Sequence, residues 1–220
     1  MLRALSQPLP EGVELGARRT FAWVEGWPGW CWSGPGESEA LTALAARASR
    51  YLPVVAAAGE TLPASSVSNF AVTERLAGSM TTDFGAPGAV GAADAVVLLP
   101  AAGRRLAALL TAAGQLFDEV ASAAPPVLRK GPRGGGRDRD QVVEHVLAAD
   151  FGYARKLGLQ FPAAARDRTA VAQLRAAVSR GRGSPDSLCP GPKGWPPRYS
   201  ARRAAWHRLD HAGEIPDRSG

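Results

Sequence analysis

The sequence predicts an α+β protein in which a small αβ N-terminal module is followed by an up-down four-helix bundle. Residues 12–34 are rich in the aromatic and β-branched types that favour strands. Beyond residue 91, apolar residues recur at the spacing of amphipathic helices. A segment rich in glycine and proline, 81–91, separates these two patterns. We therefore predict one module over residues 1–85 and the bundle over residues 91–216.

Composition limits the class of protein. Of the 220 residues, 45% are hydrophobic and 21% are charged, which is typical of globular chains. The longest uncharged apolar stretch near the middle, 95–103, is far too short to span a bilayer, and the first residues lack the apolar core of an export signal. Two cysteines provide neither a disulfide framework nor a zinc–cysteine cluster. We expect a cytoplasmic protein without membrane association.

Charge is distributed unevenly along the chain. Residues 1–90 carry six arginines, no lysine and eight acidic residues, a net charge of −2. Residues 91–220 carry 20 basic and 12 acidic residues, a net charge of +8. A basic half is compatible with nucleic-acid binding, but almost all of its cations are arginine in a chain rich in alanine and glycine, which indicates compositional bias. We therefore do not favour a nucleic-acid partner.

The predicted N-terminal module starts with a hairpin. Thr20–Val24 has strand composition, 27–30 is a turn, and 30–32 returns as a second strand. An apolar stripe predicts a helix from Glu37 to Leu52, and 67–73 is a candidate third strand. Aromatic rings in this module can stack on nucleic-acid bases, but a small module also needs large rings for its core, and we favour the core. The tryptophans concerned are Trp23, Trp27, Trp30 and Trp32.

The predicted bundle consists of four helices, which cover about 92–123, 138–157, 168–180 and 198–215. In the first helix, Pro100 either produces a kink or marks the true start. Asp138 or Asp140 can cap the second helix, and Gly158 can end it. Pro216 is expected to end the last helix. Four helices with short or moderate connections favour a bundle.

Three histidines form the candidate metal site: His145, His207 and His211. His207 and His211 are four residues apart, so they share one face of the last helix. His145 lies on the stripe of Val142 and Val146, which we expect to face the bundle interior, where facing helices build metal sites. Three imidazoles suit Zn, Ni, Fe or Cu and leave a position open for water or a thiolate. The alternative is chance spacing and hydrogen-bonded core histidines.

Acidic residues near the histidines have two interpretations each. Glu214 can accept a hydrogen bond from an imidazole, although we favour an exposed acid in the last turn. Asp150 and Asp210 lie off the histidine stripe, and we expect them to pair with arginines rather than orient a ring.

The basic loop at 129–139 can hold an anionic substrate, with Arg133 and Arg137 as candidates. It has no P-loop pattern, and we favour a solvated, flexible loop. Cys31 lies between tryptophans and is expected to be buried, whereas Cys189 lies in a loop. Neither cysteine is assigned as a nucleophile.

Two segments resemble a known family. Val143-Glu-His145-Val-Leu-Ala-Ala-Asp150 and Trp206-His207-Arg-Leu-Asp-His211-Ala-Gly-Glu214-Ile resemble the DinB-like four-helix bundle superfamily, which places one histidine on its second helix and a pair on its last. The glycine-rich loop at 130–136 and Trp195-Pro-Pro-Arg-Tyr199 are similar to its actinobacterial branch. The resemblance implies a divalent metal (Zn, Ni or Fe) bound by the three histidines.

The same resemblance suggests an activity. Relatives include mycothiol- and bacillithiol-dependent transferases and a maleylpyruvate isomerase, in which the metal activates a low-molecular-weight thiol. It therefore implies a small-molecule substrate, a thiol-dependent transferase activity and, from related bundles, a homodimer. The alternative function is a non-catalytic interaction module that binds a protein or nucleic-acid partner, with any metal purely structural.

The N-terminal module also has a resemblance. Phe21-Ala-Trp-Val-Glu-Gly-Trp-Pro-Gly29 and the segment 32–41 look like the strand–strand–helix opening of HicB-like antitoxin domains. This resemblance implies contacts with protein or nucleic acid rather than catalysis.

Overall fold

The computed structural model describes residues 8–62, 69–131, 135–159, 176 and 194–219. Within these residues the protein is a mixed α/β structure with one four-stranded sheet and seven helices. The mixed class agrees with the sequence prediction. The predicted third helix, 168–180, lies outside the described residues apart from position 176.

The sheet consists of β1 (Leu9–Leu15), β2 (Thr20–Val24), β3 (Cys31–Gly34) and β4 (Phe70–Ala77), in the order β3-β2-β1-β4. β2 pairs antiparallel with β1 and with β3, so the predicted hairpin is confirmed. β1 pairs in parallel with β4. The strand predicted over residues 67–73 corresponds to β4. The prediction ended it too early, because β4 extends to residue 77.

Two helices follow the hairpin, where the sequence predicted one helix over residues 37–52. α1 covers Glu37–Ala46 and α2 covers Ala48–Ala57. The break falls at Arg47, whose backbone (φ −103°, ψ 9°) leaves the α-helical region. Both helices contribute to the core, with Leu44 buried from α1 and Tyr51 from α2.

Three helices lie between β4 and the basic loop. α3 (Met80–Phe84) and α4 (Ala92–Ala95) are short, and α5 (Pro100–Ala123) is long. Pro100 occupies the first turn of α5, where a missing N–H costs nothing. Of the two roles considered for this proline, the true start of the helix is therefore confirmed.

The remaining helices carry the histidines. α6 covers Arg139–Lys156 and ends close to Gly158, whose φ of +80° suits glycine. α7 covers Pro197–Asp217 and packs against both α5 and α6. The prediction that Pro216 ends the last helix was wrong by one residue, since the proline lies inside the last turn.

One continuous apolar cluster crosses the predicted boundary between the modules. It contains Val13 and Ala22 from the sheet, Leu44 from α1, Leu109 from α5 and Ala205 from α7, all at most 2% exposed. The edge-on contact of the Phe21 and Trp206 rings, with centroids 5.7 Å apart, ties the sheet to α7 on a second side. Within the described ranges, every helix falls short of the length and apolarity that a membrane span requires.

Candidate metal centre

α6 brings His145 to the site through a well-capped helix. Gln141 accepts from the backbone N–H of Asp138, and Asp138 caps the first turn in return. Val142 and Val146 are fully buried on the same stripe, which fixes the rotation of the helix about its axis. His145 is consequently half-buried and faces α7.

α7 supplies the other two rings from consecutive turns. His207 is 7% exposed and His211 is 8% exposed. Arg208 of the same helix forms a buried ion pair with Asp150 of α6, with Nη2 and Oδ2 2.6 Å apart. This pair fixes α7 against α6 next to the histidines, and it confirms the expectation that Asp150 pairs with an arginine.

The three imidazole rings lie next to one another. Nε2 of His207 lies 3.1 Å from Nε2 of His145. The ring of His211 has its centroid 4.8 Å from that of His207 and 5.2 Å from that of His145. One nitrogen from each ring lies within 4.8 Å of the others. The convergence of these residues, expected from their spacing, is therefore present in the structure.

Glu214 orients the third ring. Its Oε2 lies 2.6 Å from Nδ1 of His211, and its other oxygen accepts from Arg218. The hydrogen bond from His211, helped by Arg218, lowers the pKa of Glu214 to about 2 against the opposing effect of burial. An ionised Glu214 only accepts, so Nδ1 of His211 donates this hydrogen bond, and in the neutral ring Nε2 is the nitrogen left with a lone pair. The favoured expectation of an exposed acid was wrong.

Burial keeps the other two rings neutral. Desolvation is the largest cause that lowers the pKa of His207 to about 2, followed by the neighbouring side chains of His211 and Arg203. Desolvation is also the main cause that lowers the pKa of His145, with a further contribution from Arg137. Neutral imidazoles are the form in which histidine binds a metal.

Aromatic and cationic side chains form one wall of the site. The ring of Tyr153 has its centroid 5.9 Å from that of His207, and Trp206 lies 6.0 Å away. The guanidinium of Arg203 lies over both rings, 5.4 Å from Tyr153 and 4.5 Å from Trp206. Sequence reasoning missed Tyr153 and Arg203. Helical spacing could have found them, since Tyr153 follows His145 by eight residues and Arg203 precedes His207 by four.

The other sequence candidates that the structure describes make no hydrogen bond to the three rings. Arg137 is exposed, and its carbonyl accepts from Arg218 at 2.8 Å. Asp210 forms no ion pair with any described arginine. Arg133 and Cys189 lie outside the described residues.

Cys31 and its aromatic neighbours belong to the interior. Cys31 is 2% exposed, and burial raises the pKa of its thiol far above the ordinary value. Trp23 and Trp30 are each 3% exposed, so the favoured interpretation of these rings as core is confirmed for both.

Comparison with protein-family models, with curated proteins and with solved structures returned no match for this chain.

Proposed function

We propose that this protein binds one divalent cation through His145, His207 and His211 and uses an open coordination position for chemistry. The observation that carries the proposal is the 3.1 Å separation between the Nε2 atoms of His145 and His207. Two nitrogens bound to one tetrahedral Zn²⁺ lie about 3.3 Å apart. The observed separation is therefore close to that of two ligands on one cation, and the donor set suits Zn²⁺, Ni²⁺ or Fe²⁺.

The donor count favours a reactive centre. Within the described residues, no cysteine or carboxylate joins the three histidines. Structural zinc sites are usually closed by four protein ligands, whereas catalytic sites keep one position open. Glu214 is already engaged with His211 and Arg218. His145 is the most exposed of the three histidines, so a small ligand would approach a bound cation from its side.

Residues around the three histidines would assist chemistry at the open coordination position of a bound cation. A bound cation would lower the pKa of a water or thiol ligand and so supply a nucleophile near neutral pH. Glu214 holds His211 in the tautomer that directs Nε2 to the site. The rings of Tyr153 and Trp206 exclude water from one side, and Arg203 adds positive charge beside an anionic ligand.

The resemblance to DinB-like proteins leads us to propose a thiol-dependent, mycothiol-type transferase. In this proposal α5, α6 and α7 are the first, second and last helices of a four-helix bundle, and residues 168–180 supply the third. The support is the histidine on α6 and the pair on α7, together with the resemblance of the segments that contain them. The anionic thiolate would bind next to Arg203.

Metal binding is tested by elemental analysis of the protein after removal of any affinity tag. The chain has no histidine outside the proposed site, so untagged protein offers no other imidazole. We expect about one equivalent of Zn²⁺ in the native protein and none in His207→Ala. Glu144→Gln, an exposed change next to His145 on α6, is the matched control and should keep full occupancy. Full occupancy in His207→Ala would rule out the site.

Catalysis is tested separately with metal-loaded protein. Mycothiol and an electrophile such as monochlorobimane are mixed with native protein and with His207→Ala, and conjugation is followed by fluorescence. The proposal predicts acceleration that requires both the metal and His207. A fully loaded protein that accelerates no conjugation would instead support the structural alternative.

A further inference from the structure

A cavity lies on the side of α7 opposite the three histidines. It has a volume of about 330 Å³ and is enclosed by the β2–β3 turn, α2, α5 and α7. Leu209, Gly213 and Pro216 face it from α7, and at 3.6 residues per turn these positions lie about half a turn away from His207 and His211. The cavity and the three histidines therefore lie on opposite faces of the same helix.

The walls of this cavity are apolar and aromatic. Trp30 and Tyr51 are both 3% exposed, and their rings stack with centroids 5.3 Å apart. The remaining wall includes Trp32, Leu116 and Leu209. Ligand sites of this size typically combine such walls with a few polar groups that fix orientation.

Two guanidinium groups stand at its mouth. Arg47 lies over the ring of Trp32, 4.4 Å from the centroid, and it forms no ion pair with any described carboxylate. Arg50 has only a long contact of 3.8 Å with Asp217, and both side chains are more than half exposed. Among the described residues that line the cavity, Asp217 is the only carboxylate, so the mouth carries an excess of positive charge. An apolar cavity with a cationic mouth complements an amphiphilic anion.

Two glycines line the cavity, Gly29 and Gly213. Gly29 has a φ of +93°, and a Cβ there would come within 2.7 Å of Leu209, so this turn requires glycine. At Gly213 a Cβ would have ordinary contacts only, 3.6 Å from Arg50 and 4.0 Å from Trp32. A side chain at position 213 would thus project into the mouth without distorting the backbone, which makes it the natural place to block the cavity.

We propose that this cavity binds an aromatic monocarboxylate, with its ring between the tryptophans and its carboxylate at Arg47 and Arg50. The ring replaces water against Trp30 and Trp32, and the carboxylate accepts charge-assisted hydrogen bonds from the two guanidinium groups. The site does not depend on the proposed metal function, because none of the three histidines contributes to it.

The test uses 2-naphthoate as the probe and 2-naphthalenemethanol as its neutral counterpart, with binding measured by calorimetry. We expect one equivalent of 2-naphthoate to bind, and the neutral compound to bind at least about tenfold more weakly. In the double variant Arg47→Gln with Arg50→Gln, the two compounds should bind equally. Equal affinity for both compounds in the native protein, or no binding of 2-naphthoate, would overturn the proposal.

Position 213 provides a matched pair of variants. Gly213→Leu should abolish binding of 2-naphthoate, and Gly213→Ala should keep it. Thermal unfolding of both variants should show that they are folded, since alanine and leucine favour helix over glycine. Undiminished binding to folded Gly213→Leu would contradict the proposal. His207→Ala should bind 2-naphthoate like the native protein, which separates this site from the metal centre.

Discussion

At the scale of single residues, Glu214 has the clearest effect on the metal centre. It accepts from Nδ1 of His211 at 2.6 Å and is held in turn by Arg218. Removing the acceptor frees the ring to rotate and to change tautomer. Since loss of such partners usually costs about 10- to 100-fold in metal affinity, we expect that loss in Glu214→Ala, measured by competition with a zinc chelator. Glu144→Ala, on the exposed face of α6, should keep native affinity; equal losses in both would contradict the assignment.

Glu11 of β1 carries a buried carboxyl group whose ionisation should make stability depend on pH. Its side chain is 1% exposed, and one carboxylate oxygen has no hydrogen-bond partner among the described residues. Burial raises the pKa of Glu11 from 4.5 to about 7. The unfolded chain releases this proton near 4.5 and the folded chain near 7, so between these values the folded state holds more protons and stability falls as pH rises. Below 4.5 both states are protonated and this loss is absent.

Glu11→Gln should therefore stabilise the protein at high pH. We expect a free energy of unfolding about 1–3 kcal/mol higher than native near pH 8, and little difference near pH 4. Urea titrations at both pH values provide the measurement. Glu119→Gln, a change at an exposed position of α5, is the control and should show no such dependence. An effect of Glu11→Gln that is equal at both pH values would show that the carboxylate is not the cause.

At the scale of elements, the buried pair of Arg208 and Asp150 joins the two helices that carry the histidines. Both side chains are at most 2% exposed, and Arg208 also donates to the carbonyl of Leu110 in α5. Arg208→Ala leaves a buried carboxylate without its main partner, so we expect it to lower the free energy of unfolding by about 3–5 kcal/mol. The double variant Arg208→Met with Asp150→Leu removes both charges and should recover most of this loss. A double variant as unstable as Arg208→Ala would argue for lost packing instead.

The elements differ in how far local sequence determines them. α6 could be predicted because its signals are local: Asp138 at the start, Gly158 after the end, and a stripe of apolar residues between them. β1 was not separated from the extended region, because Pro10, Glu11 and Glu14 interrupt its apolar pattern. The burial of Glu14 depends on three donors distant in sequence, the hydroxyl of Thr82 and the backbone N–H groups of residues 88 and 89. The sequence of the strand itself gives no indication of hydrogen-bond partners so distant in the chain.

The residues of the candidate site also differ in how well the local sequence predicted them. Spacing alone predicted that His207 and His211 share a face, and the stripe of α6 predicted that His145 points inward. The role of Glu214 was considered but not favoured, because its position in the last turn suggests exposure, whereas the orientation of its carboxylate is set by Arg218 and by the neighbouring ring. The split at Arg47 was also missed, since the apolar stripe continues across it.

At the scale of the whole molecule, α7 is the central element. It contacts the sheet through Trp206, packs along α5, and meets α6 at the histidines. Its two faces carry the candidate metal centre and the aromatic cavity. A cation at the three rings would add a bond between α6 and α7 that the unfolded chain cannot make with the same geometry. Metal binding is therefore expected to be coupled to the stability of the whole fold.

This coupling has a measurable size. If Zn²⁺ binds only the folded protein, free zinc at about 100 times its dissociation constant should raise the free energy of unfolding by about 2.7 kcal/mol. The rise should appear as a higher melting temperature, and a chelator should reverse it. His145→Ala loses the only ligand from α6, so zinc should no longer connect the helices and the shift should shrink to a small residual. An undiminished shift in His145→Ala would mean that zinc stabilises the fold from another site, and the three-histidine centre would then have to be abandoned.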